Sequence, residues 1–205
     1  MKGIFITFEG SEGSGKSTQA RLLVAHLKSK GKNVLHIREP GGVKMSEDIR
    51  KILLDVKNKN MSDACETLLY MAARAQLVKE VIAPALKKGK IVVCDRFLDS
   101  TVVYQGYGNG VDINFIKTIG RFATEGIAPD LTLIFDLSVE KGLSRTGKIK
   151  DRIELRSLKY HNRVRRGYLA LAKKEPGRIK VINADQSKSA IQKIVKNYVE
   201  RLVKK

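Results

Sequence analysis

Two short stretches carry residue types suited to phosphate chemistry. The first, Gly10-Ser11-Glu12-Gly13-Ser14-Gly15-Lys16-Ser17, sets a glycine, four further residues and then Gly-Lys-Ser directly after an apolar run. Glycines let the backbone curl so that several N–H groups face one point, and a following helix adds the positive end of its dipole. The loop from Gly10 to Gly15 is therefore expected to cradle the phosphates of a nucleoside triphosphate, with Lys16 reaching the β- and γ-phosphates. Ser17 offers a hydroxyl to Mg²⁺, and Thr18 follows it into the helix. The second stretch, Ile91-Val92-Val93-Cys94-Asp95-Arg96-Phe97, reads as a buried strand ending in Asp-Arg. The carboxyl ends of parallel strands are where such sheets bind ligands, so Asp95 is a second Mg²⁺ candidate, partly through water. Arg96 presents a planar fork of donors to phosphate. An ion pair closing the strand end is the alternative reading of the same two residues.

Both stretches need a sheet to bring them together, and the rest of the chain predicts one. Short β-branched runs at Ile4–Phe8, Asn33–Ile37, Lys90–Asp95, Leu131–Asp136 and Ile179–Asn183 alternate with longer amphipathic segments. That alternation predicts an α/β fold with a five-stranded parallel sheet flanked by helices. Helices are expected near Lys16–Lys30, Ser46–Leu54, Asp63–Lys88, Asn114–Glu125, Ile153–Lys174 and Ser189–Val203. Arg38–Met45 and Gly106–Asp112 read as glycine-rich loops, and Thr146–Asp151 as a short basic one. With no repeat and no linker-like tract, residues 1–205 are expected to form one domain.

Composition removes several function classes. With 42% hydrophobic and 30% charged residues the chain is not intrinsically disordered, and no apolar run approaches a membrane span. The N-terminal apolar stretch is too short for a secretory signal. Two cysteines, Cys65 and Cys94, exclude a disulfide scaffold and fit a reduced, cytoplasmic setting. The formal charge of +19 raises the question of nucleic acid, but the excess is local: residues 141–180 carry 14 basic and 3 acidic side chains. There is no helix-turn-helix pattern, and aromatics at 6% are too sparse for a stacking platform, so neither nucleic acid nor membrane is an expected partner.

A family resemblance narrows the reading. Phe8–Thr18, Arg38-Glu39-Pro40-Gly41-Gly42, Ala72-Ala73-Arg74, Asp95-Arg96-Phe97 and Tyr104-Gln105-Gly106 occur in the order found in thymidylate kinases. Pro129-Asp130-Leu131-Thr132 with Asp136, then Asp151-Arg152-Ile153-Glu154, continue the match. The chain thus resembles the P-loop nucleoside monophosphate kinases, and specifically thymidylate kinases of the bacterial or archaeal type with a basic lid. That resemblance implies the reaction ATP + dTMP → ADP + dTDP with Mg²⁺, in a homodimer. It implies that Arg38 and Arg96 face the acceptor phosphate, that Arg74 meets the thymine edge, and that Gln105 hydrogen-bonds the base. Tyr70 holds the place of the aromatic that stacks on the base, where Phe is commoner; an ordinary core aromatic is the alternative. Tyr104 resembles the tyrosine that favours deoxyribose, and Ser100 and Thr101 beside it are further nucleotide-contact candidates. Arg50 is a weaker phosphate candidate.

Glu12 matches an acid that approaches the acceptor sugar or a metal-bound water, with a solvent-facing carboxylate as the alternative. No arginine stands between Gly10 and Lys16, which resembles the family branch whose lid supplies the catalytic positive charge. The lid maps to about 142–152, and within it Arg145 is an ATP-side candidate. Arg152, then Lys148, are the candidates to meet the transferring phosphoryl group. Lys16, Arg96, Arg152 and Glu12 form the expected catalytic set. Most positive charge on the helix after the lid is expected to be solvated surface.

Overall fold

The computed structural model describes residues 3–147 and 149–203; Lys148 therefore lies outside the described residues. Five strands, β1 (Ile4–Glu9), β2 (Val34–Arg38), β3 (Ile91–Asp95), β4 (Leu131–Asp136) and β5 (Ile179–Asn183), form one all-parallel sheet in the order β2-β3-β1-β4-β5. The sheet is α/β and flanked by helices on both faces, as the alternation of runs predicts. β1 is central, with Phe8 level with Asp95 of β3 and Glu9 level with Ile134 of β4. That register delivers the ends of three buried strands to one edge.

Strand side chains alternate faces. Ile6 and Phe8 pack toward α1 (Lys16–Ser29) and α9 (Lys188–Val203), against Leu23, Leu27, Ile191, Val195 and Val199. Phe5, Thr7 and Glu9 therefore point to the opposite face, covered by α3 (Asp63–Leu77), α5 (Leu98–Thr101), α6 (Ile113–Ala123) and α8 (Leu158–Lys174). The remaining helices are α2 (Lys44–Leu54), α4 (Ala83–Lys87) and α7 (Val139–Ser144).

Three segments differ from the sequence-based expectation. The stretch predicted as one helix over Asp63–Lys88 passes through a π-helical segment, Val78–Ile82, before α4. Pro84 has no N–H to give the preceding turn, and the wider turn accommodates that loss. Gly106 and Gly108, predicted as loop, end a π-helical run, Val102–Gly108, that continues α5. It tolerates glycine because α8 lies so close: a Cβ on Gly108 would sit 2.6 Å from the Tyr160 ring. Finally, the helix expected from Ile153 starts at Leu158. Asp151 accepts from the N–H groups of Ile153 and Glu154 (both 2.9 Å), while Glu154 accepts from Asp151 N–H. This reciprocal cap closes a compact turn, and Ser157 then caps α8 through the N–H of Tyr160.

Candidate active site

Gly10, Gly13 and Gly15 all have positive φ (140°, 64° and 87°), the conformations that the loop after β1 needs to curl before α1. Gly13 has a second constraint: a Cβ there would collide with the carbonyl oxygen of Gly142, so the loop and α7 are in backbone contact. Ser11 and Ser14 are buried within the loop and Gly15 is exposed at its tip. Lys16 is buried at the start of α1, its Nζ donating to the Ser11 carbonyl at 3.3 Å, and burial pulls its pKa down. Ser17 meets the Asp95 carboxylate directly, with its hydroxyl donating to Oδ2. Thr18 is half-buried on the same first turn.

A cleft of about 320 Å³ runs from this loop along the sheet edge. Lys16, Ser17 and Asp95 line one end, and Tyr70, Arg74, Thr101 and Gln105 the other. Glu12, Arg96, Ser100 and Tyr104 lie between, and Arg38 and Arg50 border the same space. The two sequence stretches and the family-matched residues thus converge on one cavity, although they come from elements and loops spread along the chain from Glu12 to Gln105.

The middle of the cleft is a dense polar network. Arg96 has φ of 71°, rare for a non-glycine residue, which turns its guanidinium back across the cleft. Nη1 donates to Ser100 Oγ (3.2 Å) and Tyr168 Oη (3.1 Å), Nη2 to Glu12 Oε1 (3.1 Å), and the guanidinium carbon stands 4.8 Å from the Tyr104 ring centroid. Glu12 also accepts from Tyr104 Oη at 2.6 Å, and His161 Nδ1 lies 3.4 Å from its other oxygen. Burial alone would drive this carboxyl toward neutrality, but His161, Arg96, Lys16 and the Tyr104 hydroxyl outweigh it and hold its pKa well below the usual carboxylate range. Glu12 is therefore an anchored anion inside the cleft, not a solvent-facing one.

Behind this network sits Glu9, a residue that sequence reasoning left without a role. Its carboxylate accepts from Phe97 N–H (2.8 Å), Ser100 Oγ (2.6 Å) and Tyr168 Oη (2.8 Å), so it ties the end of β1 to the turn that carries Arg96. Burial and the neighbouring Asp99 raise its pKa to about 7 against the pull of Arg96, Ser100 and Tyr168. A charged residue in phase with Phe5 and Thr7 on an otherwise apolar central strand was the available signal. Asp99 is itself held by a bidentate pair with Arg178 (2.7 and 3.0 Å), and Thr132 joins them.

At the far end, Arg74 is buried, its Nε donating to Glu39 (2.8 Å) and Nη2 to the Phe97 carbonyl and Thr101 Oγ1 (3.0 Å each). Tyr70 lines the cleft one turn earlier on α3, and burial raises its hydroxyl pKa. Arg38 is half-exposed and pairs with Glu47 at 2.9 Å. Gln105 Nε2 donates to Glu66 Oε1 at 2.8 Å, and Glu66 is a second buried acid that the sequence did not flag.

Two candidates lie elsewhere. Arg152 does not line the cleft: Nη1 is 2.5 Å from Glu66 Oε2 and Nε donates to the Leu53 carbonyl at 2.7 Å. A buried carboxylate on α3 thus holds the guanidinium away from the cleft in which it is expected to meet a transferring phosphoryl group. Arg145 is exposed at the end of α7, outside the cleft lining. On the segment after the lid Lys159, Arg166, Lys173 and Lys174 are exposed, as expected for most of its positive charge. The other three are tied down: Arg165 forms a bidentate pair with Asp136 (2.7 and 2.9 Å), Arg163 donates to the Gly108 carbonyl, and Arg156, just before α8, donates to Glu66.

A parallel sheet in this order, with the glycine loop at the carboxyl edge of its central strand, defines the P-loop NTPase fold. The family model for thymidylate kinase matches residues 8–195. A thymidylate kinase of Symbiobacterium thermophilum is 47% identical over 201 residues, covering 98% of this chain and 94% of its own. One from Exiguobacterium is 48% identical over 206 residues, covering 98% and 97%. The crystal structure of thymidylate kinase from Ehrlichia chaffeensis superposes with a TM-score of 0.80 at 34% identity, covering 97% and 99% of the two chains. The chain belongs to the thymidylate kinase family.

Proposed function

We propose that this chain transfers the γ-phosphoryl group of ATP to dTMP, releasing ADP and dTDP, by direct in-line displacement. The observation that carries the reading is the continuity of one cleft from Lys16, Ser17 and Asp95 to Tyr70, Arg74 and Gln105. ATP phosphates at the loop and a nucleotide base at the far end would bring donor and acceptor phosphates together beside Arg96. There the bond between the γ-phosphorus and its bridging oxygen breaks as an acceptor phosphate oxygen forms the new one. The acceptor phosphate has a second pKa of about 6, so it is already a nucleophile near neutral pH and needs no dedicated base. The residues contribute positioning and charge neutralisation. Lys16 serves the β- and γ-phosphates, Arg38 and Arg96 the acceptor phosphate, and Arg74 and Gln105 the base edge. Tyr70 supplies a stacking face, Ser100 and Thr101 lie beside the nucleotide, and Tyr104 crowds the sugar. Glu12 orients Arg96 and Tyr104 and approaches the sugar, while Arg145 serves the ATP side of a lid at 142–152.

The donor set suits Mg²⁺: a hydroxyl and a carboxylate in contact are hard oxygen ligands, and no group of three or more His, Cys, Asp or Glu suited to a metal occurs among the described residues. An ion held by Ser17 and Asp95 together with phosphates and water fits that pair, and it supplies charge neutralisation at the phosphate oxygens.

We further infer one domain spanning 1–205, acting in the cytoplasm as a homodimer, with no nucleic-acid or membrane partner. Adjacent helices α2, α3 and α6 expose Met45, Ile52, Leu68, Phe115 and Phe122, the last 87% exposed. A paired copy would cover that apolar face. No helix among the described residues is long and apolar enough to cross a membrane. ADP release from ATP and Mg²⁺ with dTMP, dUMP, dCMP and thymidine tests the activity. The expected result is strongest turnover with dTMP; no dTMP-dependent ADP release, or a preference for thymidine, overturns the reading. Light scattering tests the dimer, and a wild-type protein that stays monomeric at micromolar concentration rules it out.

A further inference from the structure

Glu66 lies on α3, one turn before Tyr70, and is fully buried. Its two oxygens divide their work. Oε2 faces the guanidinium groups of Arg152 (2.5 Å), at the end of the lid, and Arg156 (3.3 Å), just after it. Oε1 accepts from the side-chain amides of Gln105 (2.8 Å) and Asn109 (3.1 Å). A carboxylate held by two guanidinium groups can only accept, so whatever faces it must donate. The Gln105 amide has one donor end and one acceptor end, and Glu66 takes the donor end. The acceptor end, Oε1, makes no hydrogen bond among the described residues and is not sealed from the cleft that Gln105 lines.

We propose that Glu66 is a positioning residue that sets base specificity: it fixes the Gln105 amide so that only an acceptor faces the base. An acceptor there matches the N3–H of an imide base such as thymine or uracil. Cytosine presents an unprotonated N3 at the same edge, and two acceptors would then face each other without a proton. The inference rests on the reading of this cleft as a dTMP site. Arg152 and Arg156 also gain a role, because their contacts hold in place the carboxylate that keeps the amide from turning over. The lid's return segment and the base pocket are thereby joined through one carboxylate.

The test compares kcat/KM for dTMP with that for 5-methyl-dCMP, two acceptors that share the 5-methyl group and differ at N3 and the adjoining exocyclic group. In Glu66→Gln the substituted amide can offer either end to Gln105, so the amide is free to turn. The dTMP preference is expected to narrow by roughly tenfold or more, the worth of one buried hydrogen bond. Glu66→Asp keeps an acceptor-only partner and is expected to retain the preference even if turnover falls. An unchanged preference in folded E66Q overturns the inference, as does an equal loss in E66D. If E66Q does not fold, the charge-balanced E66Q/R152M carries the same comparison, with the same two outcomes. Wild-type protein that fails to phosphorylate dTMP overturns the underlying reading as well, whereas normal wild-type turnover with an insensitive preference overturns only this one.

Discussion

Replacing Glu9 by Gln isolates the electrostatic cost of a fully buried acid behind the site. The Glu9 carboxyl rises from an ordinary value of 4.5 to about 7, because burial and Asp99 disfavour its charge more than Arg96, Ser100 and Tyr168 favour it. Between those two pH values the unfolded chain has released the proton that the folded chain still holds. The folded state therefore keeps its full contribution below pH 4.5 and loses it as pH rises through 7. At about 1.4 kcal/mol per pH unit, the loss from this one group is roughly 3 kcal/mol. A glutamine of the same shape can accept from Phe97 N–H and donate to the Tyr168 or Ser100 oxygen, so the contacts survive without a charge. Denaturant unfolding of wild type and Glu9→Gln at intervals from pH 4.5 to 8.5 is the assay. The two proteins are expected to be of similar stability near pH 4.5, with the variant ahead by roughly 3 kcal/mol above pH 7.5. Glu39 and Glu154, also raised chiefly by burial, are common to both proteins and cancel in the difference. Parallel stability curves would refute the reasoning, and so would a variant that falls behind wild type as pH rises.

Further perturbations follow from the same geometry. Gly13→Ala places a Cβ against the Gly142 carbonyl in a positive-φ residue, so the loop must move; a shift of that kind is expected to cost on the order of 100-fold in kcat, read by ADP release. Arg152→Ala removes one of two cations from buried Glu66 and is expected to destabilise the fold by about 3 kcal/mol, read by thermal or denaturant melts. An unchanged melt with abolished kcat would instead put Arg152 on the transfer path in a closed state. Arg178→Ala leaves Asp99 without its bidentate partner and is expected to cost a similar ~3 kcal/mol, again by denaturant unfolding. Phe122→Glu places a charge on the exposed face of α6, and light scattering is expected to show the dimer shifted to monomer.

Features encoded by neighbouring residues were legible from the chain alone. β4 and β5 have the bounds their apolar runs predict, and the glycine loop sits between strand and helix as its motif requires. Local geometry explains this: glycine spacing sets the curl of a loop, and β-branched runs suit a strand buried on both faces. The family motifs likewise named residues that line a single cleft, from Lys16 to Gln105.

What the sequence by itself determined, then, was the parallel α/β fold, the phosphate loop and the set of side chains near it. Tertiary structure decided which of those side chains face the cleft and which are held by partners behind it. Glu9 meets Tyr168, Glu66 meets Arg152 and Arg156, and Asp99 meets Arg178 only because the sheet and α8 bring distant segments together. A buried carboxylate must be paired or neutralised, and its partner can come from anywhere in the chain. The same residue type therefore reads alike in sequence whether it touches a phosphate, as proposed for Arg96, or closes a buried ion pair, as Arg152 does.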